Sequence, residues 1–199
     1  MSTEDNASLD GETDDEIEEP SRVIFENGKG YVGVEDADRI SQQGFYGVRL
    51  ENGKLELRPV EILHLLERER IHVKSTDGKT MDSNDIVRSL IGEDSDLWVR
   101  YLVFRDLRSR GYAVRQGFGE GIGFRVYQRG DKPGQSAAKQ LVYIMKEDEP
   151  MTLNELEMVT RTSSEARKEL TFALVDKNGE VNFYRVARAE LSPIEGDKT

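Results

Sequence analysis

Residues 141–145, LVYIM, form a continuous apolar run. In an extended segment such a run puts apolar side chains on both faces of a sheet, so it reads as a central strand covered on either side. The surrounding elements say what covers it. Upstream, in LWVRYLVFRDLRSRGY, residues Trp98, Leu102 and Phe104 with Val103 and Leu107 are apolar at helical spacing. Asp96 precedes that segment as an N-cap, and Gly111 follows as a C′ stop. YAVRQGFGEGIGFRVYQRG then alternates as strand, glycine-rich turn and strand. Downstream, Thr152 and Glu155 form a capping box that predicts a helix over 152–161. Ser163 or Ser164 caps a further helical piece, EARKEL, before TFALVD, a turn at Asn178-Gly179 and the strand VNFYRVAR. This order makes the second half a mixed α/β domain.

The first half follows the same logic on a smaller scale. RVIFENGKGYVGV reads as a hairpin turning at Asn27-Gly28, followed by a short helix stopped near Gly44 and a second hairpin at Asn52-Gly53. Pro59 opens a helix whose stripe is Val60, Leu63 and Leu66, or Ile62 and Leu65. STDGKTMDSNDIVRSLIGEDS reads as a loop, a short helix and a break. The chain thus divides into an acidic tail at 1–20, a small N-terminal α/β domain at 21–92, a C-terminal α/β domain at 93–192 with a mixed sheet flanked by helices, and a flexible tail at 193–199.

Charge is unevenly spread. Of 39 acidic residues, nine fall in residues 1–20, which contain no Lys or Arg, leaving 30 acidic against 28 basic residues in the rest. The net charge of −11 therefore belongs mostly to a tail that reads as disordered and solvating. The remainder is near neutral, which argues against indiscriminate nucleic-acid binding while leaving room for a focused basic site. No apolar run approaches the ~20 residues that span a bilayer, and MSTEDNASLD lacks the pattern of a secretory signal. Cys is absent, so disulfides and thiolate chemistry are excluded. A cytoplasmic location without membrane attachment is expected.

Few residues invite a chemical reading on their own. His64 lies in a helix and His72 in the next strand, with no ligand spacing around either, so structural or surface roles are expected and no metal site. Gly117, Gly119, Gly121 and Gly123 lead into a strand rather than opening a helix, and no Gly-Lys-Ser/Thr follows, so a hairpin replaces the nucleotide-loop reading. Tyr127 ends a strand, pointing away from the face of Phe124 and Val126. Lys168 falls in a charged helical stretch and Arg161 closes a helix, where its charge suits the dipole.

Their order carries more information. YLVFRDLRSRGYAVRQGF, FRVYQRG, QLVYIM and RTSSEARKELTFALVDKNGEVNFYRV together resemble the archaeal tRNA-splicing endonuclease family. The family pattern is a helix ending Y-x-x-Y/F-R-D-L-R-x-R-G-Y, a strand F-R-V-Y, a H-S/A-x-x-L-V strand, R-x-x-x-x-x-R-K and an acidic hairpin before Y-Y/F. GFYG and LELRPVEILHLLERERIHV resemble its N-terminal pattern too, so the likeness covers roughly residues 22–190.

The resemblance implies a nuclease-like C-terminal domain that cuts precursor tRNA at a bulge–helix–bulge. It implies cleavage without metal or cofactor by the substrate's own 2′-hydroxyl, leaving 2′,3′-cyclic phosphate and 5′-hydroxyl ends. Such chemistry needs a base, an acid and a cation for the crowded phosphate. By motif the base falls on Tyr127, the cation on Lys168, and bulge-base contacts on Arg161 and, less clearly by motif, Arg185. The acid is a histidine in the family, and its position falls on Ala137, ten residues after Tyr127. Gln135 and Ser136 do not donate protons near neutral pH as imidazole does. Either a structural subunit has lost the histidine, or the change is a deliberate His→Ala that traps uncleaved substrate. The hairpin VDKNGEVNF is an Asn-Gly turn on its own terms. The resemblance also makes it an oligomer contact through Asp176 and Glu180, with Val181–Val186 in dimer packing. The implied partners are precursor tRNA and either further copies, as a homodimer or homotetramer, or a catalytic subunit in a hetero-oligomer.

Overall fold

The computed structural model describes residues 19–92, 94–118 and 121–189. Most of the acidic tail and the whole of 193–199 lie outside that range.

The first sheet opens with β1 (Ser21–Glu26) and β2 (Lys29–Val32), antiparallel across a turn with Asn27 at φ 49° and Gly28 at φ 75°. Positive φ at both central residues is what an Asn-Gly hairpin turn requires. α1 (Val34–Gly44) starts earlier than the hairpin reading of GYVGV allowed, directly after Gly33. β3 (Val48–Arg49), β4 (Leu55–Leu57), α2 (Pro59–Glu67) and β5 (Ile71–Ser75) follow. The stretch expected as a loop contains β6 (Thr80–Met81), paired antiparallel with β5, before α3 (Ser83–Leu90). The order is β3-β4-β2-β1-β5-β6, with β1 and β5 parallel.

α4 (Leu97–Ser109) joins the halves. A continuous core runs from Val23, Leu55 and Ile62 through Leu97, Val103 and Phe104 into Val114, Val142 and Ala173. Trp98 is 50% exposed and stands outside that core, although its spacing fits the helical stripe. Asp96 occupies the N-cap position but makes no capping bond; its carboxylate instead receives Lys146 Nζ at 2.9 Å. Gly111 does follow the helix, at φ 84°.

The second sheet contains β7 (Val114–Gln116), β8 (Ile122–Val126), β9 (Gln140–Lys146), β10 (Glu169–Val175) and β11 (Val181–Val186), in the order β11-β10-β9-β8-β7. LVYIM lies in β9, the middle strand. Its Leu141 joins Val159 of α5 (Leu153–Glu165) and Leu170 in one cluster, while Val142 joins the core that contains α4. Helices therefore cover opposite faces of one strand, as a run of alternating but uniformly apolar side chains demands. β9 and β10 are parallel with α5 between them, and the other pairs are antiparallel, so the sheet is mixed.

One expected helix is absent. Ser163 and Ser164 do not cap a new element; both hydroxyls donate to Thr160 O at 2.9 Å within α5. The helix ends at Glu165, Arg167 turns left-handed at φ 54°, and ELTFALV enters the sheet as β10. Residues 170–175 pair on both sides, with β9 and with β11, and Glu169 pairs with β9. That cooperative pairing overrides the modest local helix preference of a charged hexapeptide.

Candidate active site

Three strand ends meet at one edge of the second sheet. β8 and β9 are antiparallel and β9 and β10 parallel, so the end of β8 and the starts of β9 and β10 lie together. Tyr127 follows β8 directly. Its N–H donates to Ala113 O at 3.0 Å, and Lys139 N donates to Val126 O at 2.9 Å, closing the neck of the 127–139 connection. Within that connection Gln135 N and Ser136 N both donate to Lys132 O, at 3.0 and 2.9 Å. The segment is a folded turn rather than a slack linker.

Tyr127 is 6% exposed and clusters with Ala113 and Ala138, with Phe45 of the GFYG segment packed against them. Lys168 is half-buried in the turn before β10, not in a helix. Its Nζ donates to Ala138 O at 2.6 Å, and its own N–H donates to Ser163 O at 2.9 Å. Tyr127 packing and the Lys168 ammonium thus converge on the same residue, Ala138. An ammonium with one proton engaged keeps two for an anion. Ala137, next to Ala138, is exposed.

Arg161 is exposed on the last part of α5, the helix that ends just before Lys168. Arg185 is exposed on β11 opposite Thr171, near the start of β10. Asp176 and Glu180 lie at the other end of β10, some seven residues or ~20 Å away at ordinary strand rise. Asp176 is already engaged: its Oδ1 accepts from Asn178 N and Glu180 N, both at 2.8 Å, and so builds the turn. Glu180 is exposed. Beside this hairpin Glu147 Oε2 accepts from Lys177 N at 3.2 Å, and Lys177 Nζ stands 3.4 Å from Asp148.

A cavity of about 800 Å³ lies between the two sheets, with Lys29, Arg58, Arg115 and Arg125 among its lining residues. Buried Glu61 stands at its wall, accepting from Gly47 N and Arg58 N, both at 2.9 Å. Burial pushes the Glu61 carboxyl up, against the pull of those N–H groups and of Arg115. Arg115 in turn donates to Gly47 O.

His64 is buried inside α2, and His72 is exposed on β5. Neither approaches a metal-ligand set: among the described residues no three His, Asp or Glu side chains are grouped to hold a metal ion. Among the described residues no helix is long and apolar enough to cross a membrane. Ala113, Ala138 and Phe45 had no signal in the sequence as site residues, because two are alanines and the third comes from the other half of the chain.

Two mixed sheets joined through α2 and α4, with a tyrosine and a lysine brought to one end of the second sheet, define a two-part α/β protein. The profile of the tRNA intron endonuclease N-terminal domain matches residues 21–87, and that of the tRNA intron endonuclease catalytic C-terminal domain matches residues 97–183. The chain belongs to the tRNA intron endonuclease family. It is 33% identical to a tRNA-splicing endonuclease of Methanothermobacter thermautotrophicus, over 75% of this chain and 86% of that one. It is 33% identical to one of Thermococcus kodakarensis, over 77% and 91%. A tRNA-splicing endonuclease of Methanococcoides burtonii is 35% identical over 74% of this chain, which spans 41% of that relative's length.

Proposed function

We propose that the chain is a tRNA-splicing endonuclease subunit that grips the bulge–helix–bulge of precursor tRNA and cuts it at intron boundaries without metal. In the reaction the substrate 2′-oxygen forms a bond to the adjacent phosphorus and the bond from phosphorus to the 5′-oxygen breaks. Tyr127 takes the 2′-hydroxyl proton, and the two remaining protons of Lys168 offset charge on the phosphoryl oxygens. The departing 5′-oxygen needs a proton that Ala137 does not supply, so this chain cleaves slowly. Arg161 and Arg185 hold unstacked bulge bases, in keeping with how proteins read irregular RNA. The observation that carries this reading is the convergence of Tyr127 and Lys168 on Ala138, beside the exposed Ala137.

Domain roles follow the same reading, with 21–92 as the N-terminal domain and 93–192 as the domain that bears the chemistry. The 176–180 hairpin contacts another subunit through Glu180. Asp176 contributes by shaping the hairpin.

Ala137→His tests the assignment. The position is exposed, so the substitution is tolerated, and cleavage of a bulge–helix–bulge RNA should rise ~10²- to 10⁴-fold. An unchanged rate removes Ala137 as the site of the lost acid. Ala137 itself favours a second reading, a structural subunit that positions a catalytic partner. In that case a stable hetero-oligomer forms and its activity survives Tyr127→Phe and Lys168→Ala in this chain.

A further inference from the structure

A second, smaller cavity of about 220 Å³ is lined in part by Tyr46 of the GFYG segment. Its polar walls are His64, Arg68, Arg70, Arg108, Tyr46 and Gln43, and its described lining contains no carboxylate. Three arginines and a histidine from separate parts of the chain thus line one small space, with Arg68 at its exposed side. Of the acids next to these arginines in sequence, Glu67 accepts from Tyr101 and stands 3.4 Å from Arg105, and Glu69 is exposed.

His64 is 3% exposed, and its Nδ1 has no hydrogen-bond partner among the described residues; the same holds for the buried Nε of Arg108. Buried polar atoms are nearly always paired, and an oxyanion between them would give both His64 and Arg108 a partner. Arg108 is already oriented. One of its terminal nitrogens donates to Tyr112 O at 3.0 Å, and its guanidinium lies 4.4 Å from the centre of the Tyr46 ring. Stacking of this kind fixes the planar fork that arginine offers to phosphate. Arg70 reaches the cavity while donating to Gln43.

The wall is tied to the Tyr127 cluster at two points, through Tyr46 in the chain and through the Arg108 bond to Tyr112. Tyr46 follows Phe45, which packs on that cluster, and Tyr112 precedes Ala113, whose carbonyl receives Tyr127 N–H. We propose that this cavity binds a backbone phosphodiester of the substrate RNA next to the cleaved one, through Arg68, Arg108 and the His64 imidazole. The assignment to RNA rests on the endonuclease reading above; the phosphate site itself does not. Burial and the charges of Arg108 and Arg68 hold His64 down to about 4, so at neutral pH the ring is uncharged and offers one N–H to a phosphate oxygen.

The chain has two histidines, and His72 is exposed, so it serves as an internal control. Imidazole resonances of the full chain are followed by NMR while inorganic phosphate is added. The His64 signal should move saturably and its titration should shift upward, with His72 unmoved and with the response weakened in Arg68→Gln. A His64 signal indifferent to phosphate overturns the site. Binding of bulge–helix–bulge RNA is then measured against salt. One lost phosphate contact in Arg68→Gln should lower the slope of log K against log salt by about 0.7–0.9, with affinity down about fivefold near ~0.15 M salt. A His64 response to phosphate with an unchanged RNA slope overturns the RNA assignment and leaves a site for free phosphate. A His64 response in a protein that binds no such RNA at all overturns the endonuclease reading instead.

Discussion

Lowering the pH should destabilise this protein through His64 in particular, and the size of the effect can be worked from its surroundings. Burial is the largest cause that lowers its pKa from the ordinary 6.5 to about 4; the charges of Arg108, Arg68 and Arg105 act in the same direction, and that of Glu67 opposes them. The unfolded chain accepts a proton on this imidazole near pH 6.5, while the native chain refuses it until about 4. Between those values the unfolded state holds more protons, so stability is full above the window and falls as pH drops through it. The slope approaches about 1.4 kcal/mol per pH unit, which amounts to about 2 kcal/mol between about pH 7.5 and about pH 5. The assay is urea unfolding at both pH values, in phosphate-free buffer, for the wild type and for His64→Gln, which keeps a polar helix-compatible side chain but cannot titrate. The variant should be less stable at the higher pH and should lose about 2 kcal/mol less than the wild type on acidification. Glu61, whose raised pKa acts in the opposite direction by favouring the native state at low pH, is common to both proteins and drops out of the difference. Identical pH dependence in the two proteins would refute the claim that His64 is held neutral by its environment.

Three further outcomes test the packing around the site. Glu61→Ala removes the acceptor for Gly47 N and Arg58 N and should destabilise by about 2–4 kcal/mol in urea unfolding, since it strands buried donors; a loss below ~1 kcal/mol would mean those donors find other partners. Gly47→Ala should cost about 2–4 kcal/mol in the same assay, because φ is +69° and a Cβ would stand 2.6 Å from Leu55 Cγ and 2.8 Å from the Glu56 carbonyl. Thr152→Ala breaks the capping box with Glu155 and should cost ~1 kcal/mol, read as faster amide exchange in the first turn of α5.

Much of the fold was legible because its signals are local. Asn27-Gly28 supplies the positive φ values of its turn, Pro59 starts α2 at N1, and Thr152 with Glu155 caps α5 as expected. LVYIM announced a strand covered on both faces, and Leu141 and Val142 indeed point into different clusters. The misread elements share one cause. EARKEL has helical composition, but its last two residues were claimed by sheet pairing, Glu169 with β9 and Leu170 with both β9 and β11, which no six-residue window contains. Asp96 sits where a cap belongs, yet its carboxylate found Lys146, fifty residues later.

By itself, then, the sequence determined the layered α/β class, the turns and caps, and the order of residues that resembles the endonuclease family. Which atoms meet was decided only by tertiary structure. Tyr127 and Lys168 are 41 residues apart in the chain and come together because β8, β9 and β10 align their ends around Ala138. The basic cavity depends still more on folding, since it forms only where α1, α2 and α4 bring Gln43, His64 and Arg108 to one space. Periodicity along a chain encodes which face of an element is buried; it does not encode which distant charge or ring will stand opposite that face.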